Sequence, residues 1–128
     1  MKYLMSAVGT FGDVAPFVAV GAALRQRGHE VMMAVNPFFL PMVEEAGLKC
    51  RPVEAWRDAV SFTYQPFLNR GAFALPRFLM QFVIPALGQR YVEVKRAIAD
   101  WRPDFVFSHI LSPDATWAAA QMGVPWAG

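Results

Sequence analysis

The sequence predicts an α/β fold with a doubly wound, mostly parallel sheet and helices on both faces. Short apolar runs alternate along the chain with segments of helical period, and this alternation is typical of such sheets. The first run, Tyr3 to Val8, is almost continuously apolar, as expected for a strand buried on both faces. Two glycines and a helical pattern follow it, which gives the order strand, glycine loop, helix.

Signals at the ends of segments define the first five elements. Gly28 and Gly47 follow helical patterns, and glycine is typical just past a helix end. Asn36 and Pro37 suit the cap and the first position of a helix. We therefore predict a strand at 2–8, a helix at 14–27, a strand at 30–35, a helix at 37–46 and a strand at 49–53.

The second half begins with a segment of different character. Residues 54–75 are rich in aromatic side chains, have no clean period and are too apolar for a solvated loop. After it we predict a long helix at 76–101 that bends at Pro85, a strand at 104–108, a helix from Pro113 or Asp114 that ends at Gly123, and the start of a fifth strand at 124–126.

The composition narrows the class of protein. With 128 residues, of which 55% are hydrophobic, the chain fits one domain with a substantial core. The formal charge of +2 is small and the basic residues are scattered, so nucleic acid is not an expected partner. Cys50 is alone, which excludes an internal disulfide and favours a reducing compartment. No apolar stretch suits a signal peptide or a membrane span, and we expect a cytoplasmic protein.

The predicted binding region is the edge of the sheet at the carboxyl ends of its strands, where parallel sheets bind ligands. The turn after the first strand should let a ligand approach the amino end of a helix. That turn consists of Gly9, Thr10, Phe11 and Gly12. Asp13 follows it and is either the cap of a helix that begins at Val14 or a catalytic group.

Several familiar motifs are missing or weak. The loop lacks the third glycine of GxGxxG, and Asn36 stands where a dinucleotide-binding strand would end in an acid, which argues against an oxidoreductase. No G-x-S-x-G supports a hydrolase, and two distant histidines with one cysteine do not make a metal site. We interpret Asp114 as a helix cap and Arg90 as part of a solvated helix face.

The wider pattern resembles a known family. Residues 9–53, GTFGDVAPFVAVGAALRQRGHEVMMAVNPFFLPMVEEAGLKCRPV, are similar to the amino-terminal signature of glycosyltransferases with two Rossmann-like halves, the GT-B architecture. The resemblance rests on GT-x-GDV-x-P, on A-L-x-x-RGHEV, and on a Gly-Leu and a Pro-Val around the third strand. Residues 103–125 fit the family's fourth strand, loop and helix. The nearest branch, of the family 28 and family 1 type, acts on sterols, lipids, macrolides and other aglycones.

This resemblance implies transfer of a sugar from a nucleotide diphosphate to an acceptor hydroxyl, with inversion. It implies a UDP- or dTDP-sugar as co-substrate and no further cofactor. The family binds the donor mainly in a carboxyl-terminal half whose motif these residues lack, so residues 1–128 are expected to form the acceptor side alone and to be inactive in isolation. The alternative is a non-catalytic acceptor-binding module that partners a separate donor-binding subunit.

The resemblance also assigns site residues. Many members carry a histidine as general base where Asp13 stands, paired with an acid near the place of His109, so the order is swapped here and either residue could be the base. The variable segment shapes the acceptor pocket, and its aromatic composition agrees with an apolar small-molecule or lipid acceptor. Membrane contact stays open for a lipid. The predicted pocket residues are Phe62, Tyr64, Phe67, Phe73, Phe78 and Phe82.

Overall fold

The computed structural model describes residues 1–53, 76–77, 80 and 84–128. Its five strands form one sheet in the order β3-β2-β1-β4-β5, and every neighbouring pair is parallel. The strands are β1 (Lys2–Ser6), β2 (Glu30–Val35), β3 (Lys49–Pro52), β4 (Phe105–Ser108) and β5 (Trp126–Ala127). The α-helices are α1 (Phe11–Gln26), α2 (Leu40–Glu45), α3 (Ile84–Trp101) and α4 (Pro113–Gln121). The predicted doubly wound α/β fold is confirmed.

The core lies on both faces of the central strand. Leu4 and Met5 are adjacent in β1 and point to opposite faces, since successive side chains of a strand alternate. Leu4 packs in a cluster with residues of α3 and α4, whereas Met5 packs in a cluster with residues of α1 and α2. Both side chains are almost fully buried, which explains why β1 is apolar on both sides.

The first helix begins three residues earlier than the sequence predicted. It starts at Phe11, with Thr10 as its N-cap, so the expected start at Val14 and the interpretation of Asp13 as the N-cap are wrong. Pro16 therefore lies inside α1 and has no N–H to donate to the carbonyl of Gly12. The consequence for the site is that Asp13 belongs to the first helical turn, where a carboxylate is stabilised by the helix dipole.

The other helix starts follow their predicted signals more closely. Asn36 accepts a hydrogen bond from the Phe38 N–H at 2.9 Å and caps a short 3₁₀ turn, Pro37–Phe39, that leads into α2. Pro85 is the second residue of α3, and residues 78–79 and 81–83 before it lie outside the described ranges, so the expected bend at Pro85 stays a prediction. The aromatic segment at 54–75 also lies outside those ranges. None of the helices within the described ranges is long and apolar enough to cross a bilayer.

Candidate functional site

Two loops bring the predicted catalytic residues to one edge of the sheet. Ser6 ends β1 and Ser108 ends β4, and these neighbouring strands pair them in register. The loop after β1 leads into Asp13, and the loop after β4 begins at His109. The His109 N–H donates to the carbonyl of Ser6 at 2.8 Å, so the two loops are joined at their start.

The carboxylate of Asp13 fixes the start of α1. Its Oδ2 accepts hydrogen bonds from the Thr10 N–H at 2.8 Å and from the Thr10 hydroxyl at 3.0 Å. This is the reciprocal half of a capping box, in which the third helical residue satisfies the backbone N–H of the N-cap. Asp13 is therefore a capping residue, at the third helical position rather than at the cap itself.

Gly9 makes room for this arrangement. Its φ of +125° lies in the region that side-chain-bearing residues avoid. A Cβ added at Gly9 would lie 2.8 Å from Cγ of Asp13, closer than real Cβ contacts come. The glycine loop was predicted to admit a ligand, and within the structure it is the Asp13 carboxylate that lies against Gly9.

Asp13 and His109 meet across the two loops. Nε2 of His109 lies 3.6 Å from Oδ1 of Asp13, which is too long for a hydrogen bond but close for opposite charges. The Leu111 N–H donates to Nδ1 of His109 at 3.2 Å, so Nδ1 carries the lone pair and the proton of the neutral ring is on Nε2. The ring of Phe17 packs edge-on at 5.7 Å. The Asp13 side chain is 34% exposed and that of His109 is 14% exposed.

A buried polar network lies beneath the two loops. Arg90 of α3 and Asp114 of α4 form an ion pair with Nε 3.3 Å from Oδ2, and both side chains are almost completely buried. Nη2 of Arg90 donates to the hydroxyl of Ser6 at 3.1 Å and to that of Ser112 at 3.4 Å. The Ser112 hydroxyl in turn donates to Oδ1 of Asp114 at 2.9 Å. The network thus joins α3, α4 and the end of β1.

The interpretation of Arg90 as a solvated residue is wrong. Its guanidinium is 1% exposed, and burial lowers the pKa of Arg90, an effect that the charge of Asp114 opposes. Asp114 is the second residue of α4, and Ser112 is the N-cap position, so Asp114 is not the cap. A signal was present in the sequence, because Arg90 falls four residues after Ala86 and four before Val94, on the apolar face of α3.

Exposed apolar side chains lie on the same sheet edge as the Asp13–His109 pair. They come from the loops and helix starts that follow β1, β2 and β4, at the same sheet edge as Asp13. We call them the rim residues: Phe11, Phe38, Ile110 and Leu111, which are 66%, 79%, 84% and 49% exposed. The six predicted pocket residues, from Phe62 to Phe82, lie outside the described residues and stay a prediction. Within the described ranges, no three His, Cys, Asp or Glu side chains cluster as metal ligands.

Comparison with known proteins shows the family of this chain. Residues 3–127 match the model of the glycosyltransferase family 28 N-terminal domain. The L-demethylnoviosyl transferase of Streptomyces niveus is 32% identical over 127 residues, which cover 98% of this chain and 33% of that protein. The chain thus spans about a third of the length of this relative.

Solved structures agree with this match. The glycosyltransferase SsfS6 of Streptomyces sp. SF2575, complexed with thymidine diphosphate, is 27% identical with a TM-score of 0.66, over 98% of this chain and 37% of that one. The calicheamicin glycosyltransferase CalG4 is 20% identical with a TM-score of 0.80, over 98% of this chain and 31% of that one, and shows the shared fold. The chain has the fold of the N-terminal half of a GT-B glycosyltransferase and belongs to glycosyltransferase family 28.

Proposed function

We propose that this chain is the acceptor-binding half of an inverting glycosyltransferase that moves a hexose from a nucleotide diphosphate to a hydroxyl of an apolar acceptor. Asp13 is the general base of that reaction. The observation that carries this proposal is the position of Asp13, whose side chain is partly exposed at the carboxyl edge of the sheet with Oδ1 facing His109. Family membership of residues 3–127 supports the reaction class.

The two oxygens of Asp13 have different tasks in this proposal. Oδ2 is held by both hydrogen-bond donors of Thr10, so it serves the helix start. Oδ1 makes no such bond and faces Nε2 of His109 at 3.6 Å, a gap that leaves it able to accept a proton. Both ring nitrogens of His109 are directed at partners in the protein, Nδ1 at the Leu111 N–H and Nε2 at Asp13. This geometry favours Asp13 over His109 as the base.

The chemistry then follows an in-line displacement. The acceptor hydroxyl gives its proton to Oδ1 of Asp13 while its oxygen forms a bond to the anomeric carbon of the sugar. The bond from that carbon to the diphosphate oxygen breaks on the opposite side, and the diphosphate leaves with the electron pair. The Nε2–H of His109 faces Oδ1 at 3.6 Å and stabilises the negative charge of Asp13 electrostatically before transfer, without a hydrogen bond.

The acceptor is an apolar alcohol, which the rim residues and the predicted aromatic pocket would receive. Four of the exposed large apolar side chains lie on the sheet edge that carries Asp13, and an apolar ligand would cover them there. The acceptor can be a secondary-metabolite aglycone, a sterol or a lipid. The donor is a UDP- or dTDP-sugar, bound by a separate carboxyl-terminal half, and the thymidine diphosphate complex of SsfS6 supports dTDP.

Turnover by a polypeptide that joins residues 1–128 to a donor-binding half tests this proposal. With a dTDP-sugar and an apolar alcohol, Asp13→Asn should lower kcat by about 10²- to 10⁴-fold, because the amide cannot accept the proton. His109→Gln should lower kcat less, because glutamine still offers an N–H to Asp13. Equal activity of Asp13→Asn and the unaltered protein would contradict the assignment of the base. Acceptor binding without turnover by any donor-containing form would favour the non-catalytic accessory module.

A further inference from the structure

We propose that Arg90 is a positioning residue for His109: it locks the loop that carries His109 to the end of β1 and so sets the separation of His109 and Asp13. The importance of this positioning for catalysis rests on the proposed function, whereas the positioning itself does not. Arg90 touches neither Asp13 nor His109 in the contacts described above, and it acts through two serines, Ser6 and Ser112.

Ser6 is the first connection. Its hydroxyl accepts from Nη2 of Arg90 at 3.1 Å, and its carbonyl accepts from the N–H of His109 at 2.8 Å. The same residue thus binds the guanidinium with its side chain and the backbone of His109 with its main chain. A shift of Ser6 relative to α3 therefore moves the residue that carries the imidazole.

Ser112 is the second connection. Its N–H donates to the carbonyl of His109 at 2.7 Å, which closes a tight turn over residues 109–112. Its carbonyl accepts from the hydroxyl of Ser108 at 2.6 Å, and its own hydroxyl lies 2.9 Å from that of Ser6. The turn also brings the Leu111 N–H to Nδ1 of His109. The tautomer of His109 therefore depends on a turn whose closing residue is held by Arg90.

The hydrogen-bond directions in the network are fully determined. Ser112 has one hydroxyl proton, and it is directed to Oδ1 of Asp114 at 2.9 Å. The Ser6 hydroxyl therefore donates to Ser112, because Ser112 has already given its one proton to Asp114 and Arg90 offers no acceptor. Each group therefore donates a hydrogen bond to the next, from Arg90 to Ser6, then to Ser112 and then to Asp114. The Arg90–Asp114 ion pair closes the ring. A ring with a single allowed direction holds its members in one arrangement.

The desolvation of the buried Arg90–Asp114 pair is costly, which supports a positioning role for the ring in addition to its effect on stability. A buried ion pair loses its hydration, and apolar residues of similar size are often as stabilising in its place. Nε of Arg90 and Oδ2 of Asp114 lie at ion-pair distance but without hydrogen-bond geometry, so the pair is not optimised for stability alone. What apolar side chains could not supply is the directed set of hydrogen bonds to Ser6 and Ser112.

Nitrogen NMR of the histidine rings tests the inference without any turnover. The chain contains only two histidines, His29 and His109, so both ring signals are resolved in one spectrum. His29 contacts the amino terminus at the opposite edge of the sheet, where Nδ1 lies 3.1 Å from the Met1 nitrogen, and it serves as an internal reference. At a pH of about 8.5, where an imidazole is neutral, the unaltered chain should show His109 as a single Nε2–H tautomer with widely separated nitrogen shifts.

Two variants of Arg90 are compared with a matched core variant of the same helix. Arg90→Met removes the donors, and Arg90→Lys keeps the charge but offers one nitrogen instead of a fork. Val94→Ala creates a cavity in α3 without touching the network, since Val94 is buried among apolar residues. Both Arg90 variants should shift the two His109 nitrogens toward the average of the tautomers, while His29 stays unchanged. Val94→Ala should leave both rings unchanged despite its lower melting temperature.

The outcomes separate this inference from the proposed function. If His109 keeps its tautomer in both Arg90 variants, or if Val94→Ala disturbs it equally, Arg90 is not a positioning residue, whatever Asp13 does in turnover. If Arg90→Met does not fold, Ser6→Ala replaces it, because it removes the link from Arg90 to β1 but keeps the carbonyl that binds His109. The same shift of the His109 signals is expected there, and its absence would overturn the inference. An inactive Asp13→Asn protein would leave this result untouched.

Discussion

The carboxylate of Asp13 occupies the space that a side chain at Gly9 would need. Gly9 has a φ of +125°, and a Cβ there would lie 2.8 Å from Cγ of Asp13. The carboxylate in turn accepts the Thr10 N–H at 2.8 Å. The glycine is thus required by a contact within the protein as well as by its backbone conformation.

Gly9→Ala is therefore expected to displace Asp13. The added methyl group meets both an unfavourable φ and the carboxylate, so we expect the free energy of unfolding to fall by about 1–3 kcal/mol. The change should also reduce turnover, because Oδ1 leaves its place beside His109. Urea unfolding measures the first effect, and kcat of a donor-containing form measures the second.

Gly28→Ala is the matched control for that variant. Gly28 also has a positive φ, of +87°, but no atom lies within 4 Å of an added Cβ. It should show a loss of stability from backbone strain and unchanged turnover. A Gly9→Ala protein that behaves like Gly28→Ala would mean that the contact with Asp13 is unimportant.

Two substitutions of Asp13 separate its structural task from its chemical one. Asp13→Asn retains an oxygen that can accept the Thr10 N–H, so its melting temperature should stay close to that of the unaltered chain. Asp13→Ala loses this bond and should be less stable by about 1 kcal/mol. Circular dichroism melts check both values. Equal melting temperatures for the alanine and asparagine variants would show that the capping bond contributes nothing.

The Cys50 thiol should be slow to react. Burial raises its pKa from 9.0 to about 11, and the negative charge of Glu44 adds to this effect. Only the thiolate reacts, so at pH 8 the folded chain should react roughly a hundredfold more slowly with a disulfide reagent than the urea-unfolded chain. The rate in the folded chain should keep rising up to a pH of about 11. The same rate in both states at pH 8 would contradict this pKa.

Acid should weaken the pair of Glu30 and Lys49. The hydrogen bond from Lys49, at 3.0 Å, and its charge hold the pKa of Glu30 below its ordinary value of 4.5. A lowered pKa in the folded state gives stability that is present above the ordinary value and is lost as the pH falls through the folded one. Glu30→Gln should therefore melt below the unaltered chain at pH 7, and the difference in melting temperature should vanish as the pH falls through the lowered pKa of Glu30. A difference in melting temperature that persists in acid would rule out the ion pair as the cause of that difference.

The sequence predicted the order of elements because the apolar runs and the glycines at helix ends are local signals. It also predicted that Asp13 and His109 lie at the same sheet edge, because carboxyl ends of parallel strands meet there. The start of α1 was misplaced because the helical period of apolar residues is clear only from Val14 onward. The pattern Thr10-x-x-Asp13 was the better signal, since it is typical of a capping box.

The buried network could not be predicted from local sequence patterns. Arg90 and Asp114 are 24 positions apart, and Ser6 is 84 positions from Arg90, so only the packed fold brings them together. The apolar neighbours of Arg90 in α3 indicated burial, but they did not indicate a partner. A charged residue on an apolar helix face is a general signal that a counter-charge lies on another element.

The double engagement of Asp13 has a consequence for redesign of this scaffold. Exchanging the acid at position 13 for an imidazole would remove the oxygen that anchors Thr10, so the new group would sit on a frayed first turn. An engineer who wants different reactivity here must first supply another acceptor for that N–H. A substitution at position 13 therefore changes the start of the helix and the chemistry of the site together.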